Sequence, residues 1–287
     1  MHMDTALFYP CVIIFGLLVG SFLNVVIVRL PRMLDTAWRT SAALMLGQPA
    51  PQDTPQYNLA QPPSACPQCA TPIRAWQNIP VISFLVLRGR CAGCGTYISW
   101  QYPLIELLAA ALALVTAWRF GPELEVLPAL IVAWLLLALA AIDWQTQLLP
   151  DNMTLPLLWL GLLAATAHVY VGPIDAIIGA AAGYLVLWLI FHLFRLLTGK
   201  EGMGHGDFKL LAALGAWLGW QYLPMVLLLA SVSGAVTGVM LMLTGRLQRH
   251  QAMPFGPFLA AAGWLTLIAG DKMLHTYLSY FSPTGSF

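Results

Sequence analysis

Eight apolar runs, at 6–28, about 103–119, 124–142, 153–171, 174–197, 208–221, 223–244 and 254–275, constrain this chain more than any other feature. A helix needs about 20 mainly apolar residues to cross the hydrocarbon of a bilayer. With no water there to satisfy backbone groups, a run of this kind is helical. The sixth run is the weakest, being short and carrying Gly215 and Gly219. Composition separates membrane spans from buried core helices. Of 287 residues, 59% are hydrophobic and only 9% are Asp, Glu, Lys or Arg, against about a quarter charged in an ordinary soluble domain. The reading is an all-α polytopic membrane protein of about eight transmembrane helices. A mean hydropathy of +0.76 excludes disorder, a solvent-exposed single domain and nucleic-acid binding through a basic face.

The first run is too long for a signal-peptide core, lacks a basic stretch before it and has no small-x-small cleavage site, so it is expected to be retained. Lys and Arg set the orientation, because positive residues favour cytoplasmic loops. With the N-terminus outside, one side receives Arg29, Arg32, Arg39, Arg74, Arg88, Arg90, Arg195, Lys200, Lys209, Arg246 and Arg249, and the other only Arg119 and Lys272. This split of 11 to 2 puts both termini outside and segment 31–102 in the cytoplasm. The expected organisation is a first transmembrane helix at 1–30, a cytoplasmic domain at 31–102 and a transmembrane bundle at 103–287. The domain contains a Pro-rich linker at roughly 47–67, where regular structure is not expected. No repeat of 20–50 residues and no matched pair of broken apolar segments is seen, which argues against a transporter.

Four of the five cysteines form two knuckles, Cys66-Pro-Gln-Cys69 and Cys91-Ala-Gly-Cys94, separated by 21 residues. Two thiolates from each of two turns can close a tetrahedron around zinc, and Gly93 and Gly95 give the second turn backbone freedom. The alternative is a pair of disulfides, which do not persist in the reducing compartment that the charge distribution assigns to this segment. A domain this small needs such a staple. Cys11, in the first apolar run, reads as a small buried hydrophobe.

Acidic residues near hydrocarbon cost about 2.5–3.5 kcal/mol each on insertion scales, so each requires a reason. Asp143 ends the third run and Asp207 begins the sixth. Two crossings between them return the chain to the side it left, so both carboxylates are expected at the cytoplasmic edge of the bundle. Two ionised carboxylates about 5 Å apart repel by about 3 kcal/mol at an effective dielectric near 20, so one proton is shared. Such a pair suits peptide hydrolysis: the ionised member takes a proton from water while the protonated one donates to the scissile group. The competing reading makes Asp143 a water-facing helix end and Asp207 an N-cap. Asp151 is expected to cap the fourth segment, and Glu106 to serve an intramembrane hydrogen bond. The glycines of Thr198-Gly-Lys-Glu-Gly-Met-Gly-His-Gly-Asp-Phe-Lys209 match neither a Walker loop nor a dinucleotide fold, and His205 is expected to face solvent.

Gly-His-Gly-Asp at 204–207, with Asp143 two crossings earlier, resembles the GxGD intramembrane aspartic proteases. GSFLNVVIVRLPR at 20–32, the two knuckles, NIPVISFLVLRGRC at 78–91, ISWQYPLIE at 98–106 and LLPDNMTLPLLWLGLL at 148–163 together resemble the bifunctional bacterial prepilin peptidases of type IV pili and type II secretion. The resemblance implies Asp143 and Asp207 as catalytic aspartates and Cys66, Cys69, Cys91 and Cys94 as the family's cysteine tetrad. It also implies Gly89 as a glycine associated with methyl transfer. Such enzymes cut the basic leader of prepilins and pseudopilins after a Gly on the cytoplasmic face of the inner membrane. They then methylate the new N-terminus, usually Phe, with S-adenosylmethionine. The partners implied are those substrates and membrane lipid, with no nucleic acid. Gln77 and Gln101 depart from the family pattern, standing where Asp often precedes Asn-Ile-Pro and where Arg often precedes Tyr-Pro. Residues 31–102 carry five Arg and two Asp, a net of +3, which does not attract a basic leader. Glu201 and the dyad are the acidic groups expected near the cleft.

Overall fold

A computed structural model describes residues 5–48, 57–200, 202–245 and 253–281. Asp53, Glu201, Arg246 and Arg249 lie outside these residues, as does part of the Pro-rich stretch. The chain divides into two compact units, Met1–Val126 and Leu127–Phe287.

Each of the eight apolar runs is a helix: α1 (Thr5–Met45), α3 (Gln101–Phe120), α4 (Val126–Thr146), α5 (Asp151–Thr166), α6 (Pro173–Thr198), α7 (His205–Leu218), α8 (Leu223–Leu243) and α9 (Gly256–Phe281). A short α2 (Ile82–Val86) falls between α1 and α3. Among the described residues, five helices are long and apolar enough to cross a membrane: α1, α3, α4, α6 and α8 with the turn before it. At 16 and 14 residues, α5 and α7 rise about 24 and 21 Å, short of a hydrocarbon core of about 30 Å. Asp271 and Lys272 dilute the apolar length of α9.

In the first unit α1 does not stop at the charged Arg29–Arg32 stretch. It runs 41 residues with Pro31 inside, its later turns carrying an Asp35–Arg39 pair at 2.9 Å. Gly47, at φ +65°, ends it: Gln48 N–H reaches back to Ala43 O at 2.9 Å, the six-to-one bond of a Schellman cap. α1 packs on α3 through Gly16 and Gly20, a small-xxx-small spacing that brings backbones together. A Cβ on Gly20 would stand 2.6 Å from Glu106 Cα, and one on Gly16 would stand 2.8 Å from Ala110 Cα. Asn24 fastens the same pair, donating to Tyr102 O at 3.0 Å. Arg29 is buried and donates to the carbonyls of Asn58 (3.0 Å) and Pro62 (2.8 Å), holding the end of the Pro-rich stretch against α1.

In the second unit α7 is the centre. Asp207, Phe208 and 210–218 are all buried, the pattern of a helix enclosed by protein on every side. Gly179 of α6 and Gly215 of α7 meet backbone to backbone, leaving no room for a Cβ on either. Trp217 packs on Gly161 of α5 and donates to Leu157 O at 2.8 Å, while Leu214 fills the space left by Gly263 of α9. The short length of α7 is therefore compatible with the fold, because its neighbours meet its sides.

Candidate active site and cysteine centre

The cysteines sit on two turns of one construction. In the first, Cys66 N–H bonds Thr71 O (3.0 Å) and Ala70 N–H bonds Cys66 O (2.9 Å). In the second, Cys91 N–H bonds Thr96 O (2.8 Å) and Gly95 N–H bonds Cys91 O (2.9 Å). Each turn is closed by an antiparallel bridge, Ala65 with Pro72 and Arg90 with Tyr97. The turns are two copies of Cys-x-x-Cys-x-Thr, at 66–71 and 91–96, a repeat too short to register in a search for units of 20–50 residues. Gly93 serves the approach of the two copies, since its Cβ would meet Thr71 Oγ1 at 2.9 Å, and Gly95 takes φ +73°.

All four Sγ atoms lie within 4.8 Å of one another, with Cys66–Cys94 at 3.8 Å and Cys69–Cys91 at 3.9 Å. A tetrahedral edge for zinc–sulfur bonds of about 2.3 Å is about 3.8 Å. These separations fit a four-thiolate metal centre, and the four thiols are free rather than paired as disulfides. The Thr71 hydroxyl, 3.1 Å from Cys69 Sγ, together with the Thr71 backbone, lowers the Cys69 thiol to about 6. Cys11 is a free, exposed thiol, so its expected burial is not met within its unit.

Beside the second turn, Phe84, Leu85, Arg88, Gly89, Tyr97, Ile98 and Trp100 line a cavity of about 290 Å³. Gln77 substitutes for the expected acid by accepting the Arg74 N–H at 2.8 Å, which begins the single turn at Ala75–Asn78. The Nε2 of Gln101 is buried without a hydrogen-bond partner. Glu106 accepts the Val81 N–H at 2.7 Å. It thereby holds a residue at φ +60°, costly for a β-branched side chain, so its expected role as a hydrogen-bond acceptor is the one observed.

The two aspartates come together in the second unit. Asp143 is in the last turn of α4 and Asp207 in the first turn of α7, and they are only 5% and 6% exposed. Neither matches its competing reading: Asp143 does not face water, and the N-cap of α7 is Gly204. Asp207 stands three residues on, its own N–H bonded to Gly204 O at 3.3 Å. Asp143 is near enough for its charge to bear on Asp207.

Asp143 Oδ2 accepts the N–H of Gly256 at 3.0 Å, the first residue of α9. A Cβ on Gly256 would lie 2.6 Å from that oxygen and 3.2 Å from Leu149 Cδ1, while one on Gly206 would lie 2.7 Å from Leu149 Cβ. Leu149, buried in the α4–α5 loop, is thus the wedge on which the end of α4 and the starts of α7 and α9 converge. Asp151 is the first residue of α5 and makes no side-chain cap. Its carboxylate instead binds Lys209 Nζ at 2.7 Å through both oxygens, tying the starts of α5 and α7. His205 is exposed as expected, its ring 5.1 Å from Phe191 and 5.3 Å from Phe208. Sequence reasoning did not single out Gly256, Leu149 or the role of Lys209. The Phe-Gly-Pro-Phe at 255–258 was the available signal for the first.

Comparison with known proteins bears on both centres. The bacterial peptidase A24 N-terminal domain matches residues 14–120 and the type IV leader peptidase family matches residues 130–239. A prepilin leader peptidase/N-methyltransferase of Aeromonas salmonicida is 53% identical over 275 residues, covering 95% of this chain and 94% of that one. Relatives of the same name from Pseudomonas putida (52% over 273 residues, 95% and 94% covered) and Burkholderia pseudomallei (52% over 260 residues, 90% and 84% covered) are similar. No solved structure matches the chain. With half its residues shared with these relatives over nearly its whole length, the chain belongs to the prepilin leader peptidase/N-methyltransferases of the type IV leader peptidase family.

Proposed function

We propose that this protein is a two-activity enzyme of the bacterial inner membrane. It cuts the basic leader of type IV prepilins and pseudopilins after Gly, then N-methylates the exposed residue, usually Phe. The observation that carries the peptidase half is the meeting of two buried carboxylates, Asp143 and Asp207, at the converging ends of α4, α7 and α9. The eight apolar helices act as eight crossings, with the short α7 enclosed by its neighbours. The aspartates and segment 31–102 face the cytoplasm, a placement supported by the 11-to-2 distribution of Lys and Arg.

The pair holds one proton between two oxygens that cannot both stay ionised at low dielectric. The ionised aspartate takes a proton from water, whose oxygen bonds to the scissile carbonyl carbon as the protonated aspartate donates to the carbonyl oxygen. The tetrahedral diol then collapses: one hydroxyl returns its proton, the C–N bond breaks and the leaving amine takes a proton from the other aspartate. The Gly256 N–H holds the Asp143 carboxylate, so that group keeps its position through both steps. Methyl transfer uses S-adenosylmethionine, which supplies an electrophilic methyl carbon. Cys66, Cys69, Cys91 and Cys94 hold structural zinc, for which their four-thiol donor set and spacing fit.

The test is cleavage of a full-length prepilin by Asp143→Asn and Asp207→Asn proteins in detergent. Each variant is expected to leave the leader in place while retaining zinc. Cleavage at the unmodified rate by either variant refutes the dyad. Mass measurement of the processed pilin checks methylation, with a single added methyl expected.

A further inference from the structure

We infer that the cavity between α2 and the second cysteine turn receives the charged end of the methyl donor, with Arg88 on its carboxylate and Phe84, Tyr97 and Trp100 around its sulfonium. This rests on the methyl-transfer half of the proposed function, and assigns it a place. The cavity measures about 290 Å³, at the bottom of the range of about 300–1,000 Å³ for small-molecule sites. It suits the aminoacyl sulfonium end, with the adenosine toward the rim.

The lining is unusual for a domain lying outside the apolar runs. Trp100 and Tyr97 are 75% and 78% exposed, and the rings of Phe84 and Trp100 form a corner, their centroids 4.8 Å apart at 56°. Aromatic faces set at an angle are the means by which proteins hold methylated onium cations. Arg88 lines the same cavity and has no acidic partner among the described residues, so its planar fork is available to a carboxylate. It is held at φ +51° beside Gly89 at φ +66°, two consecutive left-handed residues of a kind that cluster at ligand sites. A Cβ on Gly89 would stand 3.0 Å from Phe84 Cζ, so glycine is what lets that ring close the floor.

The walls are fixed by the metal centre's own turn. Ile98 N–H bonds Gly89 O at 2.8 Å, Arg90 pairs with Tyr97 across the bridge, and Cys91 follows at once. Arg90 also occupies one face of the Tyr97 ring, 4.9 Å from its centroid. Other occupants fit worse. A basic peptide leader would meet Arg88, a phosphate would find that single cation in the lining, and a neutral apolar ligand would leave Arg88 unused. A zwitterion with a sulfonium uses every wall.

The test is equilibrium binding of S-adenosylmethionine and of S-adenosylhomocysteine, which lacks the sulfonium charge, to the full-length zinc-loaded protein. Arg88→Gln is expected to weaken both by about tenfold or more. Trp100→Leu is expected to weaken the charged ligand about fivefold more than the neutral one, and Trp100→Phe to restore most of that preference. Zinc content is read on each variant. Photolabelling the unmodified protein with radiolabelled S-adenosylmethionine is expected to mark residues 84–100, which needs no variant to fold. A label elsewhere, or binding within twofold in both Arg88→Gln and Trp100→Leu, overturns the assignment even if the protein methylates pilin. An unmodified protein that neither binds the donor nor methylates overturns the methyl-transfer reading as well.

Discussion

Gly256 is the position where the smallest change should do the most to peptide cleavage without touching either aspartate. In Gly256→Ala the new methyl would stand 2.6 Å from Asp143 Oδ2, and 3.4 Å is where ordinary contact begins, so something must move by 3.4 − 2.6 = 0.8 Å. Leu149 cannot yield easily. It already stands 3.2 Å from the same methyl position, and Gly206, whose own Cβ would lie 2.7 Å from it, packs on its other side. The carboxylate therefore gives way. That displacement breaks or bends the Gly256 N–H bond to Asp143, a charge-assisted bond whose loss costs about 1.5–3 kcal/mol. A misplacement near 1 Å in a reacting constellation costs on the order of 10²-fold. Gly256→Ala is expected to lower single-turnover leader removal about 10- to 100-fold, with zinc content and methylation of a pre-cleaved pilin retained. Gly204→Ala is the control, because its Cβ meets nothing closer than 4.0 Å, and cleavage within about threefold of the unmodified rate is expected. Unmodified cleavage by Gly256→Ala, with a fall in melting temperature instead, would mean that α9 shifts to relieve the overlap and that the amide does not position Asp143.

Gly206→Ala should resemble Gly256→Ala, since both press on Leu149, and a Gly206→Ala, Leu149→Gly double variant, which removes the overlapping Cβ, should recover part of the lost cleavage. Glu106→Ala removes the acceptor of the Val81 N–H at a cost of about 1–3 kcal/mol. Limited proteolysis should then cut 75–90 faster, with peptide cleavage kinetics on pre-bound substrate setting the baseline. Lys209→Met breaks a pair whose side chains are 30% and 55% exposed, so a thermal shift corresponding to no more than about 1 kcal/mol is expected. In the metal-free protein the Cys69 thiol, at about 6, should be the first alkylated at pH 7, because it is thiolate above that value and thiol below it. Its labelling rate should fall as pH drops through about 6. Equal labelling of all four cysteines across that range would contradict the role given to Thr71.

The dyad illustrates how far local reading reaches. The expectation of two crossings between Asp143 and Asp207 put both at one end of the bundle, and the structure has two helices, α5 and α6, between them. Chain order alone could not say that α9 starts at the same place, since its contact with Asp143 spans 113 positions and runs through a backbone N–H that no residue type advertises. Asp151 shows the opposite failure. An acid before a helix reads as a cap by local rules, yet a lysine 58 positions on offers it a charge at 2.7 Å, and that stronger partner takes it.

Composition and periodicity by themselves determined the solvent, the eight helices and the two cysteine turns, because apolar length and thiol spacing are properties of short segments that any chain context must satisfy. Only the tertiary structure decided that α7 is enclosed on all sides, that Leu149 wedges three helix ends around the aspartates, and that an aromatic cavity opens beside Gly89. The first two are made of contacts between segments far apart in the chain, selected by which backbones can approach closely, and packing of that kind leaves no periodic trace to read; the cavity joins residues 84–89 to 97–100 across a turn.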